Sequence, residues 1–145
     1  MYKRILIPSD GSEASERAIL AGVDFAREAG AEVVGLTVTP PFRVVTADSG
    51  MLEETPEQFD AAGKARARRI LSVIEDAARE AGAPCRSEHA VEDDPWAAII
   101  AASERLGCDL IVMASHGRHG LKGLLLGSET QKVLVHGTVP VLVHR

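Results

Sequence analysis

Short apolar runs alternate with longer segments of helical spacing along nearly the whole chain, and that alternation predicts its architecture. Ile5-Leu6-Ile7, bounded by Pro8 and the turn-forming Ser9-Asp10-Gly11-Ser12, predicts a buried strand over residues 3–9 that ends in a loop. The following segment is helical. Ser12 or Asp10 can cap it, Glu13 and Glu16 stand in a first turn whose dipole favours anions, and Gly30 can end it. Its expected inward stripe is Ala14, Ala18, Ala21, Gly22, Phe25 and Ala29. A second strand is expected over 33–39, closed by Pro40-Pro41, after which residues 42–55 carry no steady period and read as a long loop. Residues 56–82 return to helical composition, with Ile70, Leu71 and Ile74 on one side. Residues 84–91 predict a third strand, and Arg86, Glu88 and His89 place it at an edge. Asp94-Pro95 opens another helix, with Trp96 in its first turn and Gly107 at its close. Leu110-Ile111-Val112-Met113 marks a central strand over 109–114. A helix over 128–136 and a strand over 139–143 complete the pattern.

Strand and helix in alternation point to an α/β fold, a doubly wound, mostly parallel sheet of five strands. The 145 residues, 46% of them hydrophobic, suffice for one core, so a single domain over 1–145 is expected. With only 3% aromatic residues, that core must be filled by Ala, Val, Leu and Ile, which suits helices lying close on a sheet. A net charge of −5 and scattered basic residues argue against nucleic acid as a partner. The cluster Arg66, Arg68 and Arg69 reads as a solvated helix face. Neither a signal segment nor an apolar run of membrane-spanning length is present, so a cytoplasmic protein without membrane attachment is expected. Cys85 and Cys108 stand apart without metal or redox spacing and read as small buried hydrophobes.

The chemistry concentrates between residues 114 and 130. Ligands of open α/β sheets settle beyond the carboxyl ends of strands where the strand order reverses, so this segment and the Pro8–Ser12 loop are natural walls of a site. Gly117 and Gly127 can let backbone N–H groups approach phosphate oxygens and can adopt positive φ. Gly127, Ser128, Glu129 and Thr130 form a helix start whose unpaired N–H groups favour an anion, and Arg118 can add positive charge. The same residues admit a plainer reading, because Ser128-x-x-Gln131 has the form of a capping box, worth ~1 kcal/mol of helix stability without any ligand.

Taken whole, the chain resembles the universal stress protein family. The resemblance rests on Gly-x2-Gly-x9-Gly-Ser/Thr after a hydrophobic strand, on Ile5-Leu6-Ile7-Pro8-Ser9-Asp10, and on the terminal Val139-Pro140-Val141-Leu142-Val143. Gly117, Gly127 and Ser128 fill the last three places of the glycine pattern, whereas Ala114 replaces its first glycine. The resemblance implies an adenine nucleotide alpha hydrolase-like fold with strand order 3-2-1-4-5. It also implies bound ATP, with magnesium as a possible companion, across the first and fourth strands. It puts Asp10 by the adenosine with Pro8 before it, Val38 beside the base, and Gly117, Gly127 and Ser128 in the phosphate cradle. Ala114, His116, Arg118, Glu129 and Thr130 complete the implied nucleotide-binding set. A homodimer through the edge strand Val139 to Val143 is implied as well, and an exposed valine-rich edge would otherwise be a pairing hazard.

Other chemistries lack their parts. No Gly-x-Gly-x-x-Gly follows a strand, and no Gly-x4-Gly-Lys-Ser/Thr occurs, so any ATP hydrolysis should be slow. His116 and His119 have no third metal ligand nearby, and no metal site is expected. Ser9, Ser12 and Ser115 show no histidine and acid partnership of the hydrolase kind. Catalytic residues are therefore not expected. Three functions remain open: a nucleotide-dependent regulatory module for stress response, the same fold and dimer acting as an interaction protein without nucleotide, and a slow ATPase.

Overall fold

The computed structural model describes residues 1–43, 54–117 and 126–145. Nine elements follow in order: β1 (Arg4–Pro8), α1 (Glu13–Ala29), β2 (Glu32–Thr39), α2 (Pro56–Ala81), β3 (Cys85–Val91), α3 (Pro95–Arg105), β4 (Leu110–Ala114), α4 (Ser128–His136) and β5 (Val141–His144). The strands form one parallel sheet in the order β3-β2-β1-β4-β5. This is the doubly wound α/β architecture expected from the alternating pattern.

Alternate residues of the inner strands feed two cores. Ile5, Ile7, Val33, Leu110 and Val112 pack against Ile19, Val23 and Ala26 of α1 and Leu71, Ile74 and Ala78 of α2. Leu6, Val34, Leu36, Ile111 and Met113 point to the opposite face, toward Ile99 and Ala102 of α3 and Val133 of α4. Because helices cover both faces, Ile5, Leu6 and Ile7 are all fully buried, which is why the central strands read as continuous apolar runs. The two edge strands are β3 and β5, as expected from the charges of one and the proline of the other.

Four local expectations change. The buried face of α1 is Ser15, Ala18, Ile19, Gly22, Val23 and Ala26, so only Ala18 and Gly22 of the expected stripe lie at its centre. Ala14, Ala21, Phe25 and Ala29 are half-buried instead, with Phe25 turned to Tyr2 at a ring separation of 6.0 Å. The last strand starts at Val141, after Pro140, whose carbonyl accepts the Ile111 N–H at 2.9 Å. A proline placed just ahead of the ladder needs no N–H of its own.

The expected capping box at Ser128 is not formed. Gly127 is the N-cap of α4, Ser128 is already helical, and Gln131 Nε2 donates to the Leu126 carbonyl at 2.9 Å. The reciprocal box occurs at α2, where Thr55 and Gln58 exchange side-chain and backbone bonds ahead of Pro56. Finally, Gly117 and Gly127 do not use positive φ. Gly127 has φ −71°, and among the described residues the positive-φ glycines are Gly11, Gly30, Gly82 and Gly107.

Candidate ligand site at the switch point

The chain passes from β1 to β2 and β3 on one side, then returns to lay β4 against the other side of β1. Here the order reverses, and the loops leaving β1 and β4 start side by side at the carboxyl edge of the sheet. The β1 loop turns sharply at Gly11, φ 82°, a value that a side chain would strain. Ser12 then caps α1 by accepting the Ser15 N–H at 3.2 Å. Asp10, just before Gly11, is exposed, and its Oδ1 accepts from Ser12 N at 2.9 Å and from Ser15 Oγ at 2.7 Å. Its carboxylate is thereby anchored to the first turn of α1.

Across the gap, the β4 loop starts from a firmly held base. Ala114 ends β4 opposite His144, and the Ser115 N–H extends that ladder by donating to the His144 carbonyl at 2.8 Å. Thr130 is buried, and its Oγ1 reaches back from α4 to donate to the Ala114 carbonyl at 2.9 Å. Gly127 N donates to the Ser115 carbonyl at 2.6 Å, closing the segment upon itself. The amide expected at the phosphates is therefore used inside the loop.

Close approach explains the two glycines of this segment. A Cβ at Gly117 would run into Oδ2 of Asp10, and one at Gly127 would lie 3.0 Å from Cα of His116. The first contact joins the two walls of the crevice, so Asp10 and Gly117 meet although they are far apart in sequence. Ala114 has ordinary strand geometry, and among the described residues no non-glycine has positive φ. Its methyl group thus imposes no backbone strain where the family pattern has glycine.

The remaining expected residues divide. Pro8 is the buried last residue of β1, paired with Leu36. Val38 lies one strand further out on β2, paired with Ala90 and packed toward the α3 and α4 face. Ser128 is exposed at the first position of α4, and His116 is half-buried. Glu129 reaches sideways, where its Oε2 accepts the Trp96 N–H at 2.8 Å and so caps the start of α3. Trp96 in turn stacks on His136, with ring centroids 4.8 Å apart. This α3–α4 clasp has no signature in the sequence, since neither partner has a local pattern. Arg118 and His119 lie outside the described residues.

Nucleophilic and metal chemistry find little here. Ser115 Oγ and His116 Nδ1 are 2.9 Å apart, a serine–histidine contact not anticipated from the sequence. That hydroxyl is buried, however, and among the described residues no acid orients the histidine. Burial pushes the thiols of Cys85 and Cys108 up to about 11, so neither is a thiolate near neutral pH. Among the described residues no group of three or more His, Cys, Asp or Glu side chains is placed to hold a metal ion. Nor is any helix among them long and apolar enough to cross a membrane.

A five-stranded parallel sheet in this order, with helices on both faces, defines a doubly wound α/β protein. The chain belongs to the universal stress protein family, which matches residues 1–145. It is 34% identical over 145 residues to universal stress protein MJ0531 of Methanocaldococcus jannaschii, covering 99% of this chain and 82% of that relative. The solved structure of MJ0577 from the same organism, the subject of a structure-based assignment of biochemical function, superposes with a TM-score of 0.83 at 31% identity. That match covers 99% of this chain and 95% of the other. A universal stress protein solved in complex with cAMP superposes with a TM-score of 0.73 at 25% identity, covering 99% and 97% of the two chains.

Proposed function

We propose that this chain is a single-domain, adenine-nucleotide-binding regulatory module for stress response, with ATP as its ligand and magnesium accompanying the phosphates. The observation that carries this reading is the contact of Asp10 with Gly117, which brings a carboxylate and a glycine-lined loop together at the sheet's switch point. A carboxylate there can accept hydrogen bonds from ribose hydroxyls, while the start of α4 offers helix-terminal amides to phosphate. The complex of a related protein with cAMP supports the choice of an adenine nucleotide.

In this reading Pro8, Asp10 and Val38 attend the nucleoside, and Ala114, His116, Gly117 and Arg118 form the phosphate-side loop. Ser128, Glu129 and Thr130 supply amides, with Gly127 contributing space rather than a donor because its own amide is taken. The protein acts through occupancy. The sequence lacks the Gly-x4-Gly-Lys-Ser/Thr pattern of phosphoryl-transfer enzymes, so hydrolysis is slow and the nucleotide alters a surface read by partners. Two copies pair in the cytoplasm through the edge at Val139 to Val143, where β5 has β4 on one side and no second strand neighbour among the described residues.

Calorimetry with ATP and magnesium on nucleotide-stripped protein tests the reading. Saturable heat is expected, and its absence at millimolar ATP would leave the fold and remove the ligand. Mass spectrometry of small molecules carried through purification then identifies the preferred nucleotide.

A further inference from the structure

A second recess lies between α1 and α2 and shares with the proposed nucleotide site only the loop that follows β1. It encloses about 310 Å³ and is lined by Ser9, Gly11, Glu16 and Ile19 on one wall and by Arg66, Arg69, Ile70 and Val73 on the other. This volume is at the small end of the roughly 300–1,000 Å³ typical of small-molecule sites.

The charge pattern around it is uneven. Along α2, Lys64 pairs with Asp60, Arg68 with Glu75 and Arg79 with Asp76. Arg66 and Arg69, one turn apart on the groove side, have no acidic partner among the described residues. All three arginines of the cluster are exposed, as expected of a solvated helix face, and Arg66 and Arg69 also line the recess. Glu16 is the single acid of the lining, which leaves the walls with one net positive charge. The rest of the lining is mixed: Val73 is 39% exposed and Ile70 half-buried, while Ile19 is fully buried beneath them.

The geometry points to a second binding site here for a small monoanionic amphiphile, a carboxylate or sulfonate on an aliphatic or aromatic body. Two guanidinium groups offer paired donors to one oxyanion, and the Ile70 and Val73 side chains take the apolar part out of water. A dianion or polyphosphate would suffer from Glu16, and a neutral hydrocarbon would leave both arginines unanswered. Ser9 and Gly11 flank Asp10 in the same loop, so the recess adjoins the proposed nucleotide site.

The probe is 8-anilinonaphthalene-1-sulfonate, a monoanionic aromatic amphiphile, added to the intact protein with fluorescence as readout. Saturable binding of one probe per chain is expected, displaced by octanoate and not competitively by ATP. Arg66→Gln with Arg69→Gln should weaken it about fivefold or more, with much of its salt dependence lost. Val73→Asp should weaken it by a similar factor through the apolar wall, and both changes are at the surface. Unsaturable binding, unchanged affinity in the arginine double variant, or competitive displacement by ATP would each overturn the assignment. ATP calorimetry on the same variants keeps this outcome separate from the nucleotide reading.

Discussion

Replacing Gly117 by alanine should destabilise the protein only while Asp10 is present, and should stabilise it once Asp10 is removed. The new Cβ would overlap Oδ2 of Asp10 and lie 3.4 Å from its Cγ, so the carboxylate must rotate. Rotation draws Oδ1 away from Ser12 N and Ser15 Oγ, now at 2.9 and 2.7 Å. Hydrogen bonds contribute about 0.5–1.5 kcal/mol net each, and for an exposed acid the weakening of both costs about 1–2 kcal/mol. Against this, glycine to alanine at a compatible φ stabilises by about 0.4–1 kcal/mol by narrowing the unfolded ensemble. The net loss in the wild-type background is then up to about 1.6 kcal/mol, or up to about 6 °C in Tm. In Asp10→Ala the obstacle is gone, and Gly117→Ala should gain up to about 1 kcal/mol. Urea denaturation of the four proteins of this cycle gives a coupling of about 1–2 kcal/mol if the contact is as described. Equal destabilisation in both backgrounds would refute the reasoning, because the glycine would then be required for a backbone reason unrelated to Asp10.

Two further outcomes follow from contacts at either end of the sheet. Asp109 accepts from Lys3 N at 2.9 Å and Arg4 N at 3.0 Å. Burial raises its carboxyl pKa, but these backbone N–H groups outweigh burial and hold it below its ordinary 3.8. A depressed folded value means that the stabilisation is complete above about 3.8 and is lost as pH falls through the folded pKa. Asp109→Asn should therefore cost about 1–2 kcal/mol at pH 7, with the gap from wild type closing in acid, as urea titrations at several pH values would reveal. A gap that stays constant down to pH 2 would contradict this. Glu129→Ala should cost about 1–2 kcal/mol by freeing the Trp96 N–H, and should shift the emission of the chain's one tryptophan. Unchanged stability together with unchanged emission would show that the α3–α4 clasp carries no weight.

What could be read along the chain was whatever depends on neighbours in sequence. The run Ile5-Leu6-Ile7 showed a strand buried on both faces, Pro140 an edge, and Gly30 a helix end, because each follows from local backbone chemistry or from periodic burial. The glycine spacing around Gly117 and Gly127 singled out the segment that follows β4 at the switch point of the sheet. Positive φ, one of the two reasons expected for them, is not used, since spacing alone does not distinguish a positive φ from a close approach.

Tertiary structure decided the rest. Only folding sets Asp10 against Gly117, sends Glu129 to Trp96 rather than into the crevice, takes up the Gly127 amide at Ser115, and divides Arg66 and Arg69 from Arg68. Each is a meeting of side chain or amide with a group that the chain reaches only by crossing the sheet or the gap between two elements. A helix or strand is specified by the period of its own residues, whereas a site is specified by distances between loops. Those distances exist only after both cores have closed around β1 and β4.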